Sequence, residues 1–167
     1  MMENMKKARE NADIVIVSCH WGIEYDYYPN TFQKNMAKQL ADAGADVIIG
    51  THPHTLQDVE YIQRADGKRT LVAYSLGNFV SGMLEESCQL EGMLSFDIEK
   101  KKIKNVVFTP LVNYYTLTGK SERHDFSVYR LKDYTNKLVE KHGFPNLTIP
   151  YMKEEVKQKV KNIKIDM

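Results

Sequence analysis

Ala12-Asp13-Ile14-Val15-Ile16-Val17-Ser18-Cys19-His20 and Ala45-Asp46-Val47-Ile48-Ile49-Gly50-Thr51-His52-Pro53-His54 decide how this chain folds. Each is an Ala-Asp pair, then a run rich in β-branched residues, then histidine. Continuous runs of this kind read as parallel strands buried on both faces. Between them, residues 32–43 carry Met36, Leu40 and Ala43 on one helical face, with Pro29-Asn30-Thr31 as a start and Gly44 as a stop. The unit is therefore β-α-β, with a right-handed crossover expected. Ligands of open α/β sheets bind beyond the carboxyl ends of the strands, so this topology delivers His20, His52 and His54 to one rim. Residues 70–75 form a further strand that runs into Asn78 at the same edge if it joins the same sheet.

Outward from this unit, residues 2–11 read as a short helix. Residues 56–63 and 69–75 are strand-like around Ala65-Asp66-Gly67-Lys68, and Asp-Gly in that setting signals a hairpin. Residues 90–98 and 103–111 predict a second antiparallel hairpin, residues 126–131 a short strand, and residues 132–142 and 151–162 helices. The last helix, lysine-rich with few large apolar residues, is expected at the surface. A length of 167 residues with 43% hydrophobic content suits one globular domain.

Composition excludes several classes. A net charge of +1 from balanced acids and bases argues against a general nucleic-acid binder. Lys100-Lys101-Lys102 reads as a solvated hairpin tip, and Cys19 and Cys88 are too few for a disulfide framework. No apolar run approaches the roughly 20 residues needed to cross a bilayer, and the N-terminus lacks a signal-peptide core. The chain as written is expected to stay in the cytoplasm. G-x-S-x-G, Walker A and G-x-G-x-x-G motifs do not occur.

The residues that carry chemistry cluster after the strands. His52 and His54 stand at i and i+2, which places both rings on one face of an extended segment, and Pro53 is expected to hold His52 extended. With His20 they make a candidate metal set, and imidazoles suit manganese, zinc or iron better than calcium. His20 and His54 are also candidate acid/base groups. Glu24 is either a catalytic or orienting carboxylate or a plain surface acid. Trp21, Tyr25 and Asn78 are candidate substrate contacts; the bland alternatives are aromatics packing down the loop and an Asn turning after Gly77. His124 and His142 stand in hydrophilic surroundings and are expected to be exposed.

His20-Trp21-Gly22-x-Glu24-Tyr25, Pro29, Gln33, Ala43-Gly44-Ala45-Asp46, Gly50-Thr51-His52-Pro53-His54, Gln57 and Ser75-Leu76-Gly77-Asn78-Phe79 together resemble the CapA-type capsule synthesis proteins associated with poly-γ-glutamate. These are relatives of the calcineurin-like metallophosphoesterases. The likeness is dense over residues 13–79 and looser to about residue 138. It implies an α/β fold, a four-layer αββα sandwich, with metal held at the strand ends. In that superfamily one histidine follows a strand and a later G-H-x-H segment supplies two more; His20, His52 and His54 match, although Thr51 intervenes between Gly50 and His52.

The superfamily's acidic strand end, Gly-Asp segment and Asn-His segment have no counterpart before His20. The resemblance therefore implies the C-terminal half of such a domain, a βαβ unit plus antiparallel hairpins over residues 1–145 followed by a surface helix in 146–167. A metal site left with three histidines would hold at best one open ion, or none. The expected roles are capsule synthesis or export, or metal-dependent hydrolysis of a phosphoester or polymer linkage that needs the missing half. The expected partners are poly-γ-glutamate or a related anionic polymer, to which Arg64, Lys68 and Arg69 could contribute unless they are ordinary solubilising charge, and a second copy or a separate N-terminal half. Family members work outside the membrane, so the resemblance implies an extracytoplasmic setting for the full-length protein.

Overall fold

A computed structural model describes residues 2–167. In chain order its elements are α1 (Met2–Asn11), β1 (Ile16–His20), α2 (Thr31–Asp42), β2 (Val47–Thr51), β3 (Val59–Gln63), β4 (Arg69–Ala73), β5 (Leu90–Glu99), β6 (Lys102–Thr118), β7 (Glu122–Arg130), α3 (Asn136–Lys141), α4 (Ile149–Lys159) and β8 (Lys164–Ile165). The fold is mixed α/β with two sheets. The first runs β1-β2-β4-β3, with β1, β2 and β4 parallel and β3 antiparallel to β4. The second is the antiparallel β5-β6-β7 meander, with β8 added parallel to β6.

The strand period of two splits the first sheet cleanly between two cores. Ile48, Val72 and Tyr74 face α1 and α2, where they pack with Met5, Ala37 and Leu40. Val47, Leu71 and Ala73 face the second sheet and pack with Leu90, Phe108, Val112 and Tyr114. Burial of β2 on both faces matches its sequence. β1 differs: it is an edge strand, and Ile16 is 51% exposed, because only one side of it is paired.

Local chemistry sets the helix between β1 and β2. Asn30 caps α2 through a capping box in which its side chain accepts from Gln33 N and the Gln33 side chain accepts from Asn30 N. Arg9 ties α1 to the start of β2, donating to Asp46 Oδ2 at 2.7 Å and to the Gly44 carbonyl at 3.2 Å. Asp46 Oδ2 also accepts from Val15 N at 2.8 Å, so the two Ala-Asp motifs meet at the N-terminal edge of the sheet.

Three expectations for the C-terminal part are corrected. α4 is not a surface appendage: Met152, Val156 and Lys159 are buried, and Leu147, Met152, Val156 and Val160 belong to the core shared by the two sheets. Helix over residues 132–142 shrinks to a 3-10 turn at Leu131–Asp133 and the six residues of α3, because Leu131 and Tyr134 are drawn into the core. His142 is buried among Tyr114, Tyr115, Tyr134 and Phe144, its Nδ1 3.0 Å from the Tyr134 hydroxyl. A hydrophilic sequence neighbourhood did not predict this, because two of the burying rings, Tyr114 and Tyr115, come from β6. His124 is exposed as expected. Among the described residues, no helix is long and apolar enough to cross a membrane.

Gly50 stands where no other residue fits. A Cβ there would lie 2.0 Å from the Tyr74 carbonyl oxygen and 2.3 Å from Trp21 Nε1. Gly50→Ala is expected to destabilise the fold by about 1–3 kcal/mol through overpacking, a fall in Tm of roughly 2–12 °C. An unchanged melting curve would contradict this packing.

Two buried titratable groups give stability an unusual pH dependence. Burial lowers His142 to about 4. Burial raises Glu91 to about 8, only partly offset by the nearby N–H groups of Asn78 and Phe79. The stability tied to neutral His142 is full above the unfolded value near 6.5 and is lost as pH falls toward 4. That tied to protonated Glu91 is full below its unfolded value near 4.5 and is lost as pH rises through about 8. The two oppose each other between the unfolded values, and above about 6.5 Glu91 acts alone. Urea midpoints should therefore fall from about pH 6.5 to 8 in the native protein and stay level there in Glu91→Gln; equal slopes in both proteins would refute the assignment.

Candidate metal centre

Parallel pairing brings the strand ends together. In the β1–β2 register Cys19 faces Gly50 and His20 faces Thr51, and Trp21 N extends the ladder by donating to Thr51 O at 3.1 Å. His20 and His52 thus emerge side by side, with ring centroids 4.5 Å apart. His52 and His54 rings lie 6.0 Å apart. All three imidazoles expected at one rim are gathered there.

The His52-Pro53-His54 segment is not extended. His52 has φ 101° and His54 φ 63°, both in the left-handed region. Each such residue costs of order 1–3 kcal/mol, and such strain persists where surrounding contacts over-determine it. The contacts here are identifiable: Tyr25 N donates to Pro53 O at 2.8 Å, and Asn78 grips His54 twice. Proline's bias on its predecessor is overridden by this clamp.

Asn78 arrives from β4 through the loop at Gly77, whose φ is +80° and whose α-carbon packs against Glu91. Its Nδ2 donates to the His54 carbonyl at 3.3 Å, which orients Oδ1 toward His54 Nδ1 at 2.7 Å. A carbonyl oxygen can only accept, so Nδ1 carries a proton, and in the neutral ring Nε2 presents the lone pair. Asn78 is consequently engaged in positioning His54.

Glu24 enters from the other side. Gly22, at φ +88°, turns the chain over Gln33, and the loop returns so that Glu24 Oε1 lies 3.9 Å from His54 Nε2. Two acceptors facing at this distance repel unless a proton or cation lies between them. One ligand atom each from Glu24, His52 and His54 falls within 4.8 Å of the others. Donors about 2.0–2.1 Å from a tetrahedral zinc-like ion stand about 3.4 Å apart, so side-chain rotations that draw the three atoms together would close this set around one ion. The donor chemistry fits a zinc-, iron- or manganese-type cation. His20 lies beside His52 but outside the converging group, so Glu24 takes the position that the sequence reading gave to His20.

The remaining expectations divide. Trp21 is 5% exposed, its Nε1 donates to the Tyr74 carbonyl at 2.9 Å, and it belongs to the core on the helix side of the first sheet, so it is not available to a substrate. Tyr25 is exposed, its ring 6.3 Å from His54, and is free to line the approach.

Sequence reasoning missed the supports. Gln33 Nε2 donates to Gln57 Oε1 at 2.9 Å, and Gln57 Nε2 and Thr55 Oγ1 both donate to the Asp26 carbonyl. This buried amide chain fastens the aromatic loop to the segment after the histidines. Gln33 and Gln57 were visible as part of the motif pattern, but nothing local marked them as mutual partners. Lys159, 2% exposed, donates to Tyr27 O at 2.7 Å and sits 4.4 Å from the Tyr28 ring centroid; burial lowers its pKa. No signal in a lysine-rich helix distinguishes this lysine from its neighbours.

The family described as "Bacterial capsule synthesis protein PGA_cap" matches residues 1–83, which include the whole histidine, glutamate and asparagine cluster. The chain is 36% identical over 107 residues to "PGA biosynthesis protein CapA" of Bacillus subtilis (strain 168), covering 64% of this chain and 27% of that protein. It is 44% identical over 84 residues to "Capsule biosynthesis protein CapA" of Bacillus anthracis, covering 48% of this chain and 19% of that one. An uncharacterized protein, y4sH of Sinorhizobium fredii, is 33% identical over 85 residues. The chain thus spans about a quarter or less of the length of these relatives. Through residues 1–83 this chain belongs to the CapA-type bacterial capsule synthesis family.

Proposed function

We propose that this chain serves capsule polymer synthesis or export through a divalent-cation centre held by Glu24, His52 and His54. The observation that carries it is the facing pair of acceptors, His54 Nε2 and Glu24 Oε1 at 3.9 Å, with the His54 tautomer fixed from behind by Asn78. The names of the two CapA relatives support the capsule assignment. The two sheets sharing one core, with α1 and α2 outside the first, support reading the chain as part of a metallophosphoesterase-like sandwich.

A cation bound here would supply Lewis-acid polarisation and a lowered pKa for bound water. The chain's own residues do the rest. Asn78 keeps the His54 Nε2 lone pair aimed inward, and His20, exposed beside His52, is placed to move a proton at a substrate oxygen. Tyr25 lines the entrance. Three protein ligands leave coordination positions open for substrate.

Titration of the protein with zinc chloride in a calorimeter should show one ion per chain. Affinity should fall about tenfold or more in His52→Ala and in Glu24→Gln; identical isotherms for wild type and His52→Ala would remove the centre. Asn78→Ala should weaken binding by about 10–100-fold, since it removes both hydrogen bonds that hold and orient His54. Zinc- or manganese-dependent turnover of a chromogenic phosphodiester, abolished by His52→Ala, would make the chain a hydrolase. Binding of poly-γ-glutamate without turnover and indifferent to chelators would make it an assembly component.

A further inference from the structure

The connection from β4 to β5 is stapled to the second sheet by buried amides. Gln89 and Asn113 are both fully buried. Asn113 Nδ2 donates to Gln89 Oε1 at 2.8 Å and to the Ser81 carbonyl at 2.7 Å, and Asn113 Oδ1 accepts from Ser81 N at 3.3 Å. Gln89 Nε2 in turn donates to the carbonyls of Met83 and Glu85, each at 2.9 Å. The Met83 carbonyl also accepts from the Tyr115 hydroxyl, and Met83 N donates to Ser81 Oγ at 3.1 Å. A satisfied buried network of this kind rigidifies what it holds. The main chain of Met83 is thus fixed from β6, while its half-buried side chain reaches back to Asn78, whose Nδ2 donates to Met83 Sδ at 3.5 Å.

That contact bears on which way the Asn78 amide faces. Its Nδ2 carries two hydrogens, one for the His54 carbonyl at 3.3 Å and one for the sulfur. Both neighbours are acceptors, so the amide oxygen is kept on the other side, 2.7 Å from His54 Nδ1. A reversed amide would set its oxygen against two acceptors and its NH2 against Nδ1, which selects the other tautomer and withdraws the Nε2 lone pair. The thioether is a weak acceptor. It is also the one of the three Asn78 partners that an oxidant converts into a polar group.

We propose that Met83 is a positioning residue of the cation centre and the oxidation site through which a hydroperoxide weakens that centre, an inference that rests on reading Glu24, His52 and His54 as cation ligands. The sulfur lone pair takes the terminal peroxide oxygen as the O–O bond breaks. Sulfur is oxidised by two electrons to the sulfoxide, and the peroxide is reduced to an alcohol or, from hydrogen peroxide, to water. An oxygen added toward Asn78 has no room in the 3.5 Å gap to Nδ2, and the Met83 carbonyl is pinned by Gln89 and Tyr115. Either the side chain swings away and Asn78 loses a partner, or the amide is pushed off His54. Both outcomes release the His54 ring from the single orientation that aims Nε2 at Glu24.

The test reads the full chain in two ways, one of them without metal. Long-range proton–nitrogen NMR correlation at alkaline pH reports the His54 tautomer: Nδ1-protonated in the wild type, and shifted toward the Nε2-protonated form in Met83→Leu and in peroxide-treated wild type. Met83→Leu conserves volume and is expected to fold. Zinc calorimetry reads the consequence, with binding weakened about threefold in Met83→Leu and about tenfold or more in the oxidised wild type. Methionine sulfoxide reductase should restore the wild-type affinity, and peroxide should leave Met83→Leu unaffected, which separates Met83 from Cys19, Cys88 and the other methionines. An unmoved tautomer in both altered proteins, or an equal loss of zinc affinity on oxidising wild type and Met83→Leu, would overturn the proposal. A tautomer shift in a chain that binds no zinc would instead remove the cation centre and leave the link from Met83 to His54 standing.

Discussion

The parallel register of β1, β2 and β4 is the constraint on which the rest of the molecule depends. With Cys19 opposite Gly50 and Ile49 opposite Ala73, three strands end at one level, and the residues after them converge. A shift of one residue would send alternate side chains to the wrong core and separate the imidazoles. The register is held from both ends. Arg9 and Val15 N bind Asp46 where the strands begin, and Trp21 locks to the Tyr74 carbonyl across the bare α-carbon of Gly50 where they finish.

Beyond the strand ends the chain leaves regular structure, and side-chain amides take over from the ladder. Gln33, Gln57 and Asn78 each bond a loop to its neighbour, and the strained backbone at His52 and His54 is kept in place by such bonds. Their shared effect is to reduce the freedom of Glu24, His52 and His54 before any ligand arrives, which lowers the ordering entropy of binding. The site is therefore preorganised mainly by polar groups that do not face the ligand.

Much of this was legible in the sequence because the signals are local. The β-branched runs, the helix between them, the Asp66-Gly67 hairpin and the rim of histidines follow from period and position alone. What was not legible depends on distant partners. Trp21 reads as an aromatic near a site until Tyr74 claims its indole N–H, and Glu24 reads equally as an orienting carboxylate or a surface acid until the turn at Gly22 brings it within 3.9 Å of His54. His142 looked solvated because Tyr114 and Tyr115, which help bury it, lie on β6, and β1 looked fully buried because hydrophobicity does not say which strand is at an edge. The motif resemblance indicated the family, whereas the roles of Asn78 and Gln57 emerged only from hydrogen-bond directions.

Lys159 closes a long circuit. Its ammonium, at the end of α4, carries the carbonyl of Tyr27 and lies under two tyrosine rings of the loop that begins at the first histidine. α4 is thereby a brace for the loop after β1, across 132 positions of sequence. That loop cannot be held in place until α4 has docked against it, so the two must order together.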